Sequence, residues 1–342
     1  PLVTPEHLDL IRWAADYYHH PIGEVVASAL PGLLHRGPLN TQTKPASCRW
    51  LLAHDPGPLK RAPRQAGIVE LLRGHPSGLS DEELEQRLAY WRKAMRHLVA
   101  QGYVEAVAIP TTTEPSIACL PAPPLNPAQH RAVQQIASAL DRFQPFLLDG
   151  VTGSGKTEVY LRLIKKVLLA GKQALMLVPE IGLIPQTLER LSERFGQPVA
   201  VMHSDLGTQQ RLAAWLSARE GKARIVLGTR SAVWTPMPYL GLIVVDEEHD
   251  SSYKQQEGFP YSARDVAVIR AQGENIPVVL GSATPSLESI FNAQSTRYRE
   301  LRLPHRAGSA STPTIKLLDI RAHALHGGIS QPLLAALAQR LE

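Results

Sequence analysis

Short apolar runs recur between residues 128 and 304, at 146–148, 174–178, 199–202, 225–227, 242–245 and 278–281. Helical spacing of apolar and polar positions separates most of them. Runs of this kind suit strands of a parallel sheet, buried on both faces. Strand and helix in alternation predict a doubly wound α/β lobe over 126–304, with its ligand site at the carboxyl ends of the strands.

Upstream the pattern changes. Leu8, Ile11, Ala15 and Tyr18 recur at helical spacing, and 22–34 carries a second helical pattern that stops at Pro31-Gly32. Residues 1–63 are expected to be the last part of an amino-terminal domain plus a linker. Over 64–110, residues 66–73 read as a helix, Ser80-Asp81-Glu82-Glu83 as a capping box, and 91–100 as a further helix. Gln101-Gly102 then breaks the pattern, and 103–109 alternates like a strand. Three helices, a glycine turn and a strand resemble a winged-helix domain. Arg92, Lys93, Arg96 and His97 would decorate its third helix. They suit DNA phosphates or the solvated basic face of a docking domain, and charge alone does not choose between these. Residues 111–125 read as a linker. Residues 305–342 read as a connection with a strand at 315–318 and a helix beginning at 331.

The chemistry concentrates in the α/β block. Gly150-Val151-Thr152-Gly153-Ser154-Gly155-Lys156-Thr157 fills every slot of the phosphate-binding loop, directly after an apolar run. Glycines let backbone N–H groups wrap phosphate oxygens, and the following helix N-terminus favours anions. Lys156 supplies a cation to the β/γ-phosphates, and Thr157 offers a hydroxyl to Mg²⁺. Asp246 and Glu247 end the apolar run 242–245. The first suits Mg²⁺ and the second suits orienting the attacking water. Gln129 has the donor and acceptor that an adenine edge needs. Ser282 and Thr284 end another apolar run; their hydroxyls suit linking the nucleotide site to nearby loops, or capping a helix.

Two turns and one loop suit nucleic acid. Thr229, Arg230 and Ser231 put a cation and two hydroxyls in one turn, as a phosphate backbone requires. Pro179-Glu180 ends an earlier strand on the same side of the sheet. Tyr253, Phe259 and Tyr261 cluster with Lys254 and Arg264 over 251–265, in a chain only 6% aromatic. Aromatic faces stack on bases and cations meet phosphates in single-strand binders. The bland alternative is a loop folded on its own aromatics.

Composition changes this picture little. The chain has 342 residues, a net charge of +5 and 44% hydrophobic residues, as expected of two or three ordinary domains. Its two cysteines, Cys48 and Cys119, are too few for a disulfide scaffold or a four-cysteine zinc site. No apolar run approaches the ~20 residues of a membrane span, and no secretory signal is visible.

The phosphate loop, the Asp246-Glu247-Glu248-His249 box and the Gly281-Ser282-Ala283-Thr284 segment, in that order, resemble the first three main motifs of superfamily 2 helicases of the DExH type. Residues 150–160, 228–233 and 246–257 closely resemble the PriA family of bacterial replication-restart helicases. The resemblance implies a RecA-like P-loop motor lobe preceded by a winged helix. It implies ATP-dependent 3′ to 5′ unwinding at forks for primosome assembly, with Mg²⁺-ATP as cofactor and a cytoplasmic, nucleoid-associated setting. Implied partners are forked and single-stranded DNA, other primosome proteins and single-stranded-DNA-binding protein. It also implies that His249, Ser282 and Thr284 couple the ATP site to neighbouring loops, and that the aromatic loop couples DNA binding to hydrolysis. The family's zinc-binding cysteine cluster has no counterpart here, so no zinc ligands are assigned. Its second lobe, with the arginine finger, is missing or barely begun. The chain is therefore expected to be an internal piece of a longer protein and poorly active alone. The rival readings are a double-stranded DNA translocase and a nucleotide-switched DNA-binding regulator. Glu247 argues against the second, because a switch needs no water-orienting acid.

Overall fold

In the computed structural model, the described residues are 3–36, 48–57, 59, 62–88, 91–108, 122–307, 315, 317–321, 323 and 325–341. Cys119 and most of the expected linker 111–125 lie outside them. Helix α1 (Pro5–Tyr17) starts where Thr4 caps it, its side chain accepting from the His7 N–H, with proline in the first turn. Helix α2 (Ile22–Ala29) follows and ends short of Pro31; a 3₁₀ turn takes up Gly32–Arg36. Leu10, Ile11, Ala14, Ala15, Val25 and Ala29 share one core with the α/β lobe. Helices α1 and α2, expected as the last part of an amino-terminal domain, thus pack directly against the lobe.

The boundary expected at 63 shifts, because residues 48–52 join the unit that follows. Strand β1 (Cys48–Leu52) pairs antiparallel with β2 (Val104–Ala108). Between them lie α3 (Pro63–Arg73), α4 (Asp81–Arg87) and α5 (Trp91–Ala100). The capping box at Ser80 and Glu83 is formed. Ile68, Leu72, Leu84, Trp91, Met95, Leu98 and Val104 make a separate core, to which β1 contributes Trp50. The winged-helix-like unit therefore includes 48–52. On α5, Lys93, Arg96 and His97 are exposed, whereas Arg92 pairs with Glu85 and lies over the Trp91 ring.

The lobe's sheet has seven strands, all parallel. They are β3 (Gln144–Gly150), β4 (Gln173–Leu177), β5 (Val199–Met202), β6 (Ile225–Gly228), β7 (Leu240–Val245), β8 (Pro277–Ser282) and β9 (Arg299–Leu303), in spatial order β5-β6-β4-β7-β8-β3-β9. Helices α6 (Pro127–Ala137), α7 (Lys156–Leu169), α8 (Ile184–Phe195), α9 (Thr208–Arg219), α10 (Ala263–Gly273) and α11 (Leu287–Gln294) complete the lobe. Alternate side chains feed two cores. Leu147, Leu175, Ile243 and Val278 meet α1 and α10 on one face; Phe146, Met176, Val244 and Val279 meet α6 and α7 on the other. Burial on both faces is why these strands read as continuous apolar runs. The edge strand β9 was not expected, because Arg299, Glu300 and Arg302 interrupt its apolar pattern on exposed positions.

Residues 306–342 form a second unit. It holds a hairpin of β10 (Leu325–His326) and β11 (Ile329–Ser330), turned by Gly327 and Gly328, both with positive φ. Helix α12 (Gln331–Leu341) follows. Of the strand expected at 315–318, the described residues Ile315, Leu317 and Leu318 have no regular structure and are exposed.

Candidate active site

The phosphate loop runs from the end of β3 into α7. Gly153 and Gly155 adopt φ of 77° and 82°, which suits glycine and lets the chain curl. A side chain at Gly150 would come within 2.6 Å of Ser154 Oγ, so the loop closes tightly on itself. Lys156 lies in the first turn of α7, buried, and its Nζ donates to the Gly150 carbonyl at 3.0 Å. The same Nζ is 3.8 Å from a Glu247 carboxylate oxygen. Ser154 Oγ is buried and has no hydrogen-bond partner among the described residues.

Asp246 and Glu247 leave the end of β7 opposite this loop. The Asp246 N–H donates to Leu177 O at 2.9 Å, its Oδ1 accepts from the Tyr160 hydroxyl at 3.0 Å, and its carbonyl accepts from the Tyr253 hydroxyl at 2.7 Å. Burial, reinforced by the neighbouring Glu247 charge, pushes the Asp246 carboxyl above the usual range. Glu247 has a φ of +46°, a conformation that costs a residue with a Cβ ~1–3 kcal/mol. Both its neighbours are pinned, since the Glu248 N–H donates to Gly281 O at 3.0 Å. Thr152 to Glu158, Leu161, Arg190, Glu193, Arg194, Asp246 and Glu247 line one cleft of about 660 Å³. The geometry thus gathers Lys156, Thr157, Asp246 and Glu247 around a space large enough for a nucleotide triphosphate group.

The His249 Nδ1 lies 2.7 Å from Ser282 Oγ, which also accepts from the Thr284 N–H at 2.9 Å. His249 is also 3.7 Å from Glu247. Neither Ser282 nor Thr284 caps α11; Ser286 does, accepting from the Ser289 N–H.

Several expected contacts are corrected. The Gln129 amide is engaged within the protein. It is buried; Oε1 accepts from the Asn126 N–H at 2.9 Å, and Nε2 donates to Ser154 O at 2.8 Å. Its side chain therefore ties the start of α6 to the phosphate loop. Tyr253, Phe259 and Tyr261 offer no faces for base stacking, being only 1%, 3% and 6% exposed. Phe259 and Tyr261 stack at 5.1 Å between ring centres, both against Trp234, with Tyr18, the residue that caps the end of α1, edge-on to Phe259. The loop is folded on its own aromatics and on α1. Arg264 is not available to phosphates either. It is buried, donating to Glu248 at 3.2 Å, Ser286 Oγ at 2.7 Å and Asp265 at 3.0 Å. A buried charge needs such pairing. Arg230 donates to the carbonyls of Ser252 and Lys254 at 2.9 and 3.1 Å, so its guanidinium brackets the loop. Thr229 and Ser231 remain half-exposed and Lys254 exposed.

The motifs missed four contributors. Tyr160 sits at an apolar helical position and reads as core. Arg190 and Arg194 reach the cleft from α8, which carries no motif; Arg194 is held by Glu158 at 2.5 Å. Glu248 is fully buried, its carboxylate accepting from the Ser286 N–H and Oγ, Ser289 Oγ and Arg264. It joins the carboxylate turn to α11. Among the described residues, no three acidic, histidine or cysteine side chains cluster as a metal cage, and no helix is long and apolar enough to cross a membrane.

The family model for DEAD/DEAH box helicases matches residues 126–292, and that for a 3'DNA-binding domain (3'BD) matches residues 1–31. The replication restart protein PriA of Haemophilus influenzae is 41% identical over the whole chain, which covers 48% of that relative. PriA of Chlamydia pneumoniae is 38% identical, again over the whole chain and 48% of the relative. PriA of Bacillus subtilis is 40% identical over 83% of this chain and 36% of the relative. The chain spans about half the length of the first two of these curated relatives. Among solved structures, RecG bound to a three-way DNA junction is 25% identical, covering 54% of this chain and 24% of that one, with a TM-score of 0.43.

Proposed function

Because the chain belongs to the PriA family of replication restart proteins, we propose that it carries the ATP-hydrolysing lobe of a DNA helicase that unwinds 3′ to 5′ at stalled forks. One observation carries this most directly. Lys156, Asp246 and Glu247, from two distant segments, line one cleft beneath a loop whose left-handed glycines turn it toward phosphate. The buried, unpartnered Ser154 hydroxyl is a polar atom that a bound phosphate would satisfy.

Each residue has a distinct task. The loop N–H groups and Lys156 bind the β/γ-phosphates. Glu247 orients the water that attacks the γ-phosphorus, and its held φ fixes the carboxylate's direction. The donor set also fits Mg²⁺, which takes one or two protein oxygens plus phosphate and water rather than a cage. Thr157 and Asp246 would hold it, and when bound it supplies charge neutralisation of the phosphates. Thr229, Ser231 and Lys254 are the DNA-facing groups on this lobe. His249 and Ser282 relay the state of the γ-phosphate site to β8.

The test uses the full-length protein with ATP, Mg²⁺ and forked DNA. Phosphate release stimulated by DNA, together with strand displacement, is expected. DNA-stimulated hydrolysis without strand displacement would replace the helicase with a translocase. Nucleotide binding without hydrolysis would leave only the nucleotide-switched regulator.

A further inference from the structure

Tyr160 lies four residues after Lys156 on α7, so the helix face that presents the lysine also presents the phenol. The ring is fully buried within the core between α7 and the sheet. Its hydroxyl reaches past that core and donates to Asp246 Oδ1 at 3.0 Å. The third wall of this contact is Gly281, the last residue before the Ser-Ala-Thr segment. A Cβ there would fall 1.6 Å from the Tyr160 hydroxyl oxygen and 2.8 Å from the ring carbon that bears it. One hydroxyl therefore sits where the phosphate-loop helix, the aspartate and β8 converge, in a space that any residue larger than glycine would fill.

We infer that Tyr160 is a positioning residue for Asp246, holding its carboxylate in the orientation that receives the nucleotide-bound divalent cation. This rests on the assignment of Asp246 to Mg²⁺ above. An ionised carboxylate only accepts hydrogen bonds, so the phenol must be the donor, and it occupies Oδ1. Oδ2 is left for the cleft that Asp246 lines. The aspartate's backbone is held separately, through its N–H and its carbonyl. Without the phenol, the backbone stays fixed while the carboxylate is free to rotate. Outer partners that orient a ligand in this way typically matter 10- to 100-fold in metal affinity.

The experiment is a Mg²⁺ titration of fluorescent ADP and ATP binding to the full-length protein, with hydrolysis as a secondary readout. Tyr160→Phe keeps the ring and removes only the hydroxyl. The Mg²⁺ concentration at half-saturation should rise by about 10- to 100-fold. Nucleotide affinity without metal, set by the phosphate loop, should not change. Gly281→Ala should shift the Mg²⁺ curve in the same direction by displacing the hydroxyl. In the Tyr160→Phe background it should add little, because the contact is already gone. An unchanged Mg²⁺ midpoint in Tyr160→Phe, or fully additive shifts in the double variant, would overturn the positioning role. A wild-type protein whose nucleotide binding ignores Mg²⁺ would instead overturn the metal assignment on which it rests.

Discussion

The Tyr18 hydroxyl accepts a hydrogen bond from the Ser262 N–H at 3.1 Å, across 244 positions of sequence. The same ring stands edge-on to Phe259, 5.7 Å between centres. Helix α1 is thereby fastened to the loop that follows the Asp246-Glu247 turn. Burial pushes the Tyr18 hydroxyl up to about 12, so it stays neutral under ordinary conditions.

Tyr18→Phe should leave the Ser262 N–H without its partner, at a cost of ~1–3 kcal/mol. Amides of 255–265 should exchange with deuterium faster, while those of β7 and β8 should not. Phe259→Ala should cost ~3–5 kcal/mol of stability, as expected of a core aromatic rather than a base-stacking one. Unchanged exchange and an unchanged melting point would return these rings to a role in DNA contact.

Lys156→Ala should abolish ATP turnover by removing the cation from the transferring phosphate. Glu247→Gln should preserve nucleotide binding and slow hydrolysis by about 10²–10⁴. Glu247→Gly should go further: it relieves the left-handed backbone and raises the melting temperature while remaining inactive. Equilibrium binding, phosphate release and thermal melts separate the three. A melting temperature lowered by glycine would mean that the turn is not strained.

His249→Ala and Ser282→Ala should each weaken DNA stimulation of hydrolysis. The two side chains act through one contact, so the double variant should be little worse than either single. A coupling energy of about 0.5–3 kcal/mol is expected from the cycle. Additive losses would assign the residues to separate tasks.

His7 is buried between α1 and α10 in a pocket that Glu6, Asp9, Arg270 and Glu274 also line. Burial, with the Arg270 charge adding to it, pushes the imidazole down to about 3. The unfolded chain therefore takes up a proton near the ordinary value of 6.5 that the folded chain refuses. The stability from neutral His7 is fully present above about pH 6.5 and is lost as pH falls toward 3. Denaturant unfolding at pH 7.5 and pH 5 should show this fall, and His7→Gln should flatten it. A His7→Gln protein with the same pH slope would refute the assignment.

The sequence by itself determined the features whose physics is local. A phosphate loop needs glycines at fixed offsets because Gly153 and Gly155 must take positive φ. Strands buried on both faces must be continuously apolar, which made the five inner strands legible, and the edge strand β5 is apolar too; β9 escaped because its exposed edge positions hold Arg299, Glu300 and Arg302. Asp246 and Glu247 were legible because charge directly after such a run must emerge at the strand's end. Only the tertiary structure decided what lies beside what. Tyr253, Phe259 and Tyr261 have the composition of a base-stacking surface, yet Trp234 packs on the last two, Tyr18 on Phe259, and the Tyr253 hydroxyl turns to the Asp246 carbonyl. Arg264 has the charge of a phosphate contact, yet Glu248 and Ser286 surround it, and the Gln129 amide reaches the Ser154 carbonyl of the phosphate loop. Tyr160 looked like core and is core, except for one hydroxyl. Side-chain chemistry is written in the residue type, but whether it faces solvent, a ligand or another buried group is set by segments far away in the chain.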